Sequence, residues 1–179
     1  MREFRPLWAL NASGLAITET PLAICILRVR APDAALFEAL ARALASPWPS
    51  EPNTVAGETP MVAWLGPAEW AIFAPAEQIA SMIAEACSGR VHHLVDLSAG
   101  RRLWRVQGPQ AKAIVAMGCS LDLHPRAFGL GRCAQSLFAD VATLIIPQDE
   151  NRAFDIVADA SFAGHLRAWF SDASREFQV

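Results

Sequence analysis

The side chains best able to do chemistry are concentrated in CSLDLHPRAFGLGRC, Cys119 to Cys133, which holds two of the four cysteines, one of the four histidines and two arginines. As a metal loop it offers three ligands, Cys119, His124 and Cys133, in the pattern Cys-x4-His-x8-Cys. A structural zinc needs four ligands, usually including a close pair of cysteines. The sequence has no such pair, so the fourth would have to come from Asp122, His92, His93 or another chain. The alternative is two small apolar thiols and a hydrogen-bonded histidine. A nucleophilic cysteine needs a base and a positive environment. Cys119 instead follows Gly118 at the end of a predicted helix, the negative end of the helix dipole, and Cys133 opens a strand. Cys25 and Cys87 lie among apolar residues. The pattern predicts inert thiols, with no catalytic residue and no metal ligand.

The other polar groups also read as structural. His92 and His93 are neighbours on a predicted strand and point to opposite faces, so they cannot chelate one ion together. His165 sits beside the apolar face of the last helix, and DLSAGR (96–101) is a tight turn held by an Asp or Ser side chain. There is no G-x-G-x-x-G and no P-loop, and GLGR at 129–132 precedes a strand rather than a helix. No cofactor is expected on this chain. Trp64, Trp70 and Trp104 belong to strands and to the core, whereas Trp8 and Trp48 lie in irregular segments and need a surface to cover, in this chain or another.

The elements that must position these groups follow from periodicity. Residues 1–20 show no clear period and predict an N-terminal arm. PLAICILRVR (21–30) reads as a strand. The helix APDAALFEALARALAS follows, with Pro32 in its first turn, Leu36, Phe37, Leu40 and Leu44 on one face and Glu38 paired to Arg42. Residues 47–60 are a loop. MVAWLGPAEWAIFAP is a hairpin around Gly66-Pro67, and AEQIASMIAEACSG is a helix with Ile79, Met82, Ile83 and Ala86 inward, stopped by Gly89. A strand over 90–98 completes β-α-β-β-α-β. The order restarts with a strand at 101–108 and a helix from Pro109 to Gly118. Two strands at 133–148 turn near Ala139-Asp140, and a strand at 153–159 precedes a helix at 161–177 capped by Ser161. The predicted class is α+β: one domain, 21–179, of two tandem ferredoxin-like split β-α-β halves, 21–98 and 101–179. Each half carries an antiparallel sheet covered by helices.

The net charge of −3 and pI of about 5.8 argue against a nucleic-acid partner. Apolar residues make up 53% of the chain and the mean hydropathy is +0.25, high for a free-standing monomer. The longest apolar runs, PLAICIL and VATLIIP, have strand length, far short of the ~18–20 residues of a membrane span, so no membrane partner is expected. The excess belongs to core or to a protein interface. Polar residues interrupt any leader-like core near the N-terminus, which predicts a cytoplasmic chain with free thiols.

WLGPAEWAIF, VDLSAGRRLWRVQGPQA and above all GCSLDLHPRAFGLGRCAQSL resemble the gamma subunit of heterotetrameric sarcosine oxidase, from about Glu19 to the end of the chain. The resemblance implies a fold related to the folate-binding domain of the glycine-cleavage T-protein. It also implies a non-catalytic assembly role in flavin-dependent oxidative demethylation of sarcosine to glycine. The expected partners are the alpha and beta subunits, with delta in the full complex. FAD, FMN and NAD would sit on alpha and beta, and tetrahydrofolate on a related domain of alpha. The 119–133 stretch is then expected to be a recognition loop. Pro125 limits its backbone, Gly129 and Gly131 permit bends, and Phe128 anchors in a partner pocket. Arg126 and Arg132 make forked hydrogen bonds to the partner, while Asp122 and His124 hold the loop's own shape. The alternatives are a loop that only closes its own domain, and a stand-alone folate-binding or aminomethyl-transfer protein using Asp96 or Asp122 against a pterin. Self-association of the isolated chain through uncovered apolar surface is a third.

Overall fold

The computed structural model describes residues 5–150 and 152–177. The predicted arm is a hairpin instead, β1 (Trp8–Ala12) and β2 (Leu15–Pro21), with Trp8 opposite Glu19. Its period is visible in LAITETP, where Leu15, Ile17 and Glu19 alternate inward. The arm reading failed because the third inward position is a carboxylate. Residues 1–4 of that arm lie outside the described residues.

The next segment starts later than expected, as β3 (Cys25–Val29), and Pro32 lies just ahead of α1 (Ala34–Leu44). Asp33 is the cap, its carboxylate accepting from Leu36 N at 2.9 Å. The Arg90 guanidinium, bound to both Asp33 oxygens, helps hold that carboxyl below its usual range. Then come β4 (Val55–Ala56), β5 (Met61–Gly66), β6 (Glu69–Phe73), α2 (Ala76–Ala86) and β7 (His92–Asp96). The second run is β8 (Arg101–Gln107), α3 (Ala111–Gly118), β9 (Ala134–Phe138), β10 (Val141–Asp149), β11 (Ala153–Asp159) and α4 (Ala163–Ala173). Short 3-10 turns flank α4, and the turn before it is capped by Asp159 rather than by Ser161, whose N–H donates to the Asp159 carboxylate.

The chain divides into two compact units, one of residues 23–99 and one of residues 5–22 with 100–177. The first unit has the sheet order β4-β5-β6-β3-β7, all antiparallel. Leu36, Leu40 and Leu44 of α1 and Ile79 and Ile83 of α2 pack on Leu27, Val29, Val62, Trp70 and Ile72. Each such side chain contributes roughly 2 kcal/mol of burial. Trp48, from the proline-rich loop, packs on Trp70 with ring centroids 5.4 Å apart.

The second unit has the order β1-β2-β8-β11-β10-β9. Matching the two runs, β3 corresponds to β8, β4 to β9, β5 to β10, and β6 to β11. The place of β7 is taken by β2, which comes from the start of the chain. The second ferredoxin-like half thus borrows its last strand, and for that reason its own run ends on a helix. One register row crosses all six strands: Trp8, Glu19, Trp104, Ile156, Ile145 and Ala134. Trp8, Trp104, Phe170, Phe138 and Trp169 form a continuous ring cluster with centroid spacings of 4.9 to 5.7 Å. Both irregular-segment tryptophans therefore cover surfaces of this chain.

Candidate recognition loop

The loop begins where α3 ends against an aromatic ring. A Cβ on Gly118 would lie 2.5 Å from the Phe138 ring, so only glycine lets the helix end come this close. Ala139 N donates to Gly118 O at 2.8 Å, tying the helix end to the β9–β10 turn. That turn sits at Ala139-Asp140, as expected, with φ of 49° and 64°. His165 Nε2 lies 2.8 Å from Ala139 O, so the ring is hydrogen-bonded as expected, but the residue is exposed rather than packed.

From Cys119 the chain runs without regular structure to β9. Its internal bonds explain its shape. His124 N donates to the Asp122 carboxylate at 2.9 Å, and Arg126 N to His124 Nδ1 at 3.2 Å. Ala127 N and Phe128 N both donate to His124 O at 2.8 Å, closing a turn over Pro125 to Ala127. A Cβ on Gly129 would lie 2.6 Å from Pro125 O, so the return of the loop requires the bare backbone there. Asp122 and His124 thus hold the loop's shape, as expected of them.

Phe128 does not do what the sequence suggested. It is buried in the core of its own unit together with Leu123, so it anchors the loop from beneath and offers nothing to a partner pocket. An aromatic residue in a polar loop looks available in the sequence, but here the gap beneath the loop is filled by that ring. Cys133 is buried too. What faces solvent is Asp122, His124, Arg126, Gly131 and Arg132, with Leu130 at 54% exposure between the arginines. Among the described residues, no side-chain hydrogen bond or ion pair engages the Arg126 or Arg132 guanidinium. Two forked cations and one apolar side chain are thus exposed between positions 126 and 132, on a loop pinned by Leu123 and Phe128. They can seat carboxylates or backbone carbonyls beside an apolar contact.

The other candidate groups are not assembled into a site. Among the described residues no cluster of three His, Cys, Asp or Glu side chains could hold a metal. Burial pushes the Cys25 thiol up to about 11 and raises Cys87 and Cys119 as well, the direction of an unreactive thiol. Asp96 accepts from Ser98 N at 2.8 Å, Ser98 Oγ accepts from Ile24 N at 3.0 Å, and the Ser98 bonds hold the Asp96 carboxyl below its usual range. Asp96 and Asp122, the carboxylates considered for a pterin, each accept a backbone N–H of their own turn.

The sequence reading missed a buried charge. Glu19 is fully buried, with Oε2 2.6 Å from Arg167 Nε on α4 and Oε1 3.8 Å from Arg102 Nε on β8. The signal was there, because Glu19 continues the inward alternation of Leu15 and Ile17. Asp155 of β11 is likewise buried and accepts two bonds of 2.7 Å from Arg105 of β8.

The sequence profile described as "Sarcosine oxidase, gamma subunit family" matches residues 28–176. The chain belongs to this family. It is 35% identical to the sarcosine oxidase subunit gamma of Corynebacterium sp. (strain P-1), over 79% of this chain and 70% of that protein. It is also 35% identical to the same subunit of an Arthrobacter species, over 82% and 73%. It superposes with a TM-score of 0.84 on a chain of the heterotetrameric sarcosine oxidase from Corynebacterium sp. U-96 in complex with pyrrole 2-carboxylate, with 28% identity and coverage of 95% of this chain and 88% of that one. The glycine cleavage system aminomethyltransferase T from Bartonella henselae shares the fold, with a TM-score of 0.59 at 15% identity over 91% of this chain and 47% of that one. The gamma subunit family thus brings the α+β architecture and T-protein likeness expected above. No helix among the described residues is long and apolar enough to cross a membrane.

Proposed function

We propose that this chain is the non-catalytic assembly subunit of a heterotetrameric sarcosine oxidase, and that the 119–133 loop is one of its contacts with the partner chains. Family membership and the solved heterotetramer support the complex. The loop reading is carried by one observation: the exposed pair Arg126 and Arg132 flanks exposed Leu130 on a turn fixed from below by Leu123 and Phe128. A loop backbone fixed from below loses little entropy on docking, so the cost that remains is the ordering of the two free arginine side chains. In this reading the partners are the alpha and beta subunits, with delta in the full complex. They carry FAD, FMN and NAD and use tetrahydrofolate, and the complex oxidises sarcosine to glycine. This chain supplies shape, and when isolated it self-associates through apolar surface meant for its partners.

The test is purification of the tagged chain from its native cell. Flavin-bearing chains in fixed stoichiometry are the expected result. A chain that purifies alone and binds tetrahydrofolate at micromolar concentration would contradict the proposal and favour a stand-alone folate protein.

A further inference from the structure

The correspondence between the two runs of strands places a cleft at the same position in each unit. In the first unit a cleft of about 590 Å3 lies between the end of β3 (Arg28, Val29, Arg30), the β5–β6 turn (Gly66, Pro67, Ala68, Glu69) and the start of β7 (Val91, His92, His93). In the second unit a cleft of about 460 Å3 lies between the end of β8 (Gln107, Gly108, Pro109), the β10–β11 turn (Asp149, Arg152, Ala153) and the start of β2 (Leu15, Ala16). The two sites are built from equivalent elements but differ in charge. The second balances Asp149 with Arg152. The first holds Arg28 and Arg30 against Glu69 alone, in a chain whose net charge is −3.

The geometry of the first cleft is orderly. Arg28 faces Glu69 on one neighbouring strand and His93 on the other, so the three form a row across β6, β3 and β7. They lie on the face opposite the helices, since Leu27 and Val29 on the same strand point into the helix-covered core. Arg28 Nη2 is 2.9 Å from Glu69 Oε2, which holds the guanidinium at the cleft wall while leaving it 70% exposed. Arg30 is exposed and has no side-chain partner among the described residues. Val91, 70% exposed, supplies an apolar lip, and Pro67 and Ala68 add to the apolar lining.

We propose that this cleft is a second docking surface, and that its occupant is an acidic segment of a partner protein in which a carboxylate lies beside an apolar side chain. The uncompensated Arg30 and the half-satisfied Arg28 take the carboxylate, and the Val91 lip covers the apolar neighbour. The cleft is open and its cations are solvent-exposed, which suits a protein segment laid across it better than a small ligand, which a pocket would enclose. The inference rests on the assembly reading above but concerns residues of the first unit, whereas the 119–133 loop belongs to the second.

The experiment co-expresses the full chain with the sarcosine oxidase alpha and beta chains and measures the fraction retained in the complex at two salt concentrations. Arg30→Glu, which reverses a charge without breaking an observed contact, is expected to cut retention about tenfold and to flatten its salt dependence. Arg28→Gln is expected to cut it less. Arg152→Glu, at the equivalent cleft of the second unit, is expected to leave retention unchanged, and thermal melting of each variant separates docking from folding. Retention of Arg30→Glu within twofold of the unaltered chain overturns this inference alone. So does acetate binding that shifts the His93 ring resonances while assembly of Arg30→Glu stays normal, because that marks a small-anion site. Failure of the unaltered chain to assemble overturns the assembly reading and this inference with it.

Discussion

Glu19 of β2 and Arg167 of α4, 148 positions apart, meet at 2.6 Å inside the second unit. The contact ties the start of the chain to its last helix. It also explains how a carboxylate stands in a row otherwise made of tryptophan, isoleucine and alanine. Arg167→Leu removes the nearer cation and leaves that carboxylate with only the longer, 3.8 Å contact to Arg102. With Arg167 40% exposed, the expected loss is on the order of 2 kcal/mol, below the full cost of breaking a wholly buried pair. The urea midpoint should fall accordingly, and Glu19→Gln should lower it less. An unchanged midpoint in Arg167→Leu would show that the pair does not hold the hairpin.

The thiols set the alkaline limit of stability. Folded Cys25 keeps its proton to about pH 11, because burial is joined by the nearby Asp96 and Glu77 charges, whereas an unfolded thiol ionises near 9. Between those values the unfolded state binds fewer protons than the folded one, so stability is complete below about pH 9 and declines as pH rises toward 11. The chain has no tyrosine and a single lysine, which leaves little else to titrate there. Chemical denaturation from pH 8 to 11 should show the decline, and Cys25→Ala should make it shallower. An equal slope in that variant would contradict the assignment.

The proposed recognition loop separates into a buried anchor and an exposed surface. Phe128→Ala removes a core ring and should cost about 3–5 kcal/mol. Arg126→Ala and Arg132→Ala should change stability by no more than about 0.5 kcal/mol, yet weaken retention in the complex. Thermal melts together with co-purification distinguish the two roles. Normal retention by the folded arginine double variant would exclude the loop as a contact.

Gly118→Ala forces a methyl group toward the Phe138 ring. The ring cluster must give way, at about 1–3 kcal/mol for an overpacked core. The near-ultraviolet dichroism of Trp104 and Trp169, which share that cluster, should change with it.

Much of this was legible in the chain itself. The α1 face, the β5–β6 hairpin and the turn at Ala139-Asp140 follow from local periodicity and turn chemistry, as do Ile79 and Ile83 of α2, although Met82, expected inward with them, is exposed. The hairpin β1–β2 is harder to read, because it is held by pairing with β8, more than eighty residues on, and its visible alternation ends on an inward carboxylate, Glu19, where an apolar residue is expected. The roles within the loop divided in the same way. Asp122 and His124 act on their own neighbours and could be foreseen, but whether Phe128 turns inward depends on a gap between distant elements that no local pattern records. The cationic cleft of the first unit was invisible for the same reason, since Arg28, Glu69 and His93 become neighbours only through strand register.

The central claim is that this chain supports the oxidation of sarcosine without performing it. The direct measurement is sarcosine-dependent oxygen consumption by the purified chain alone, by the alpha and beta chains without it, and by the reconstituted complex. The account predicts no turnover by the isolated chain and full activity only once it is assembled. Turnover by the isolated chain as a well-behaved monomer would contradict it.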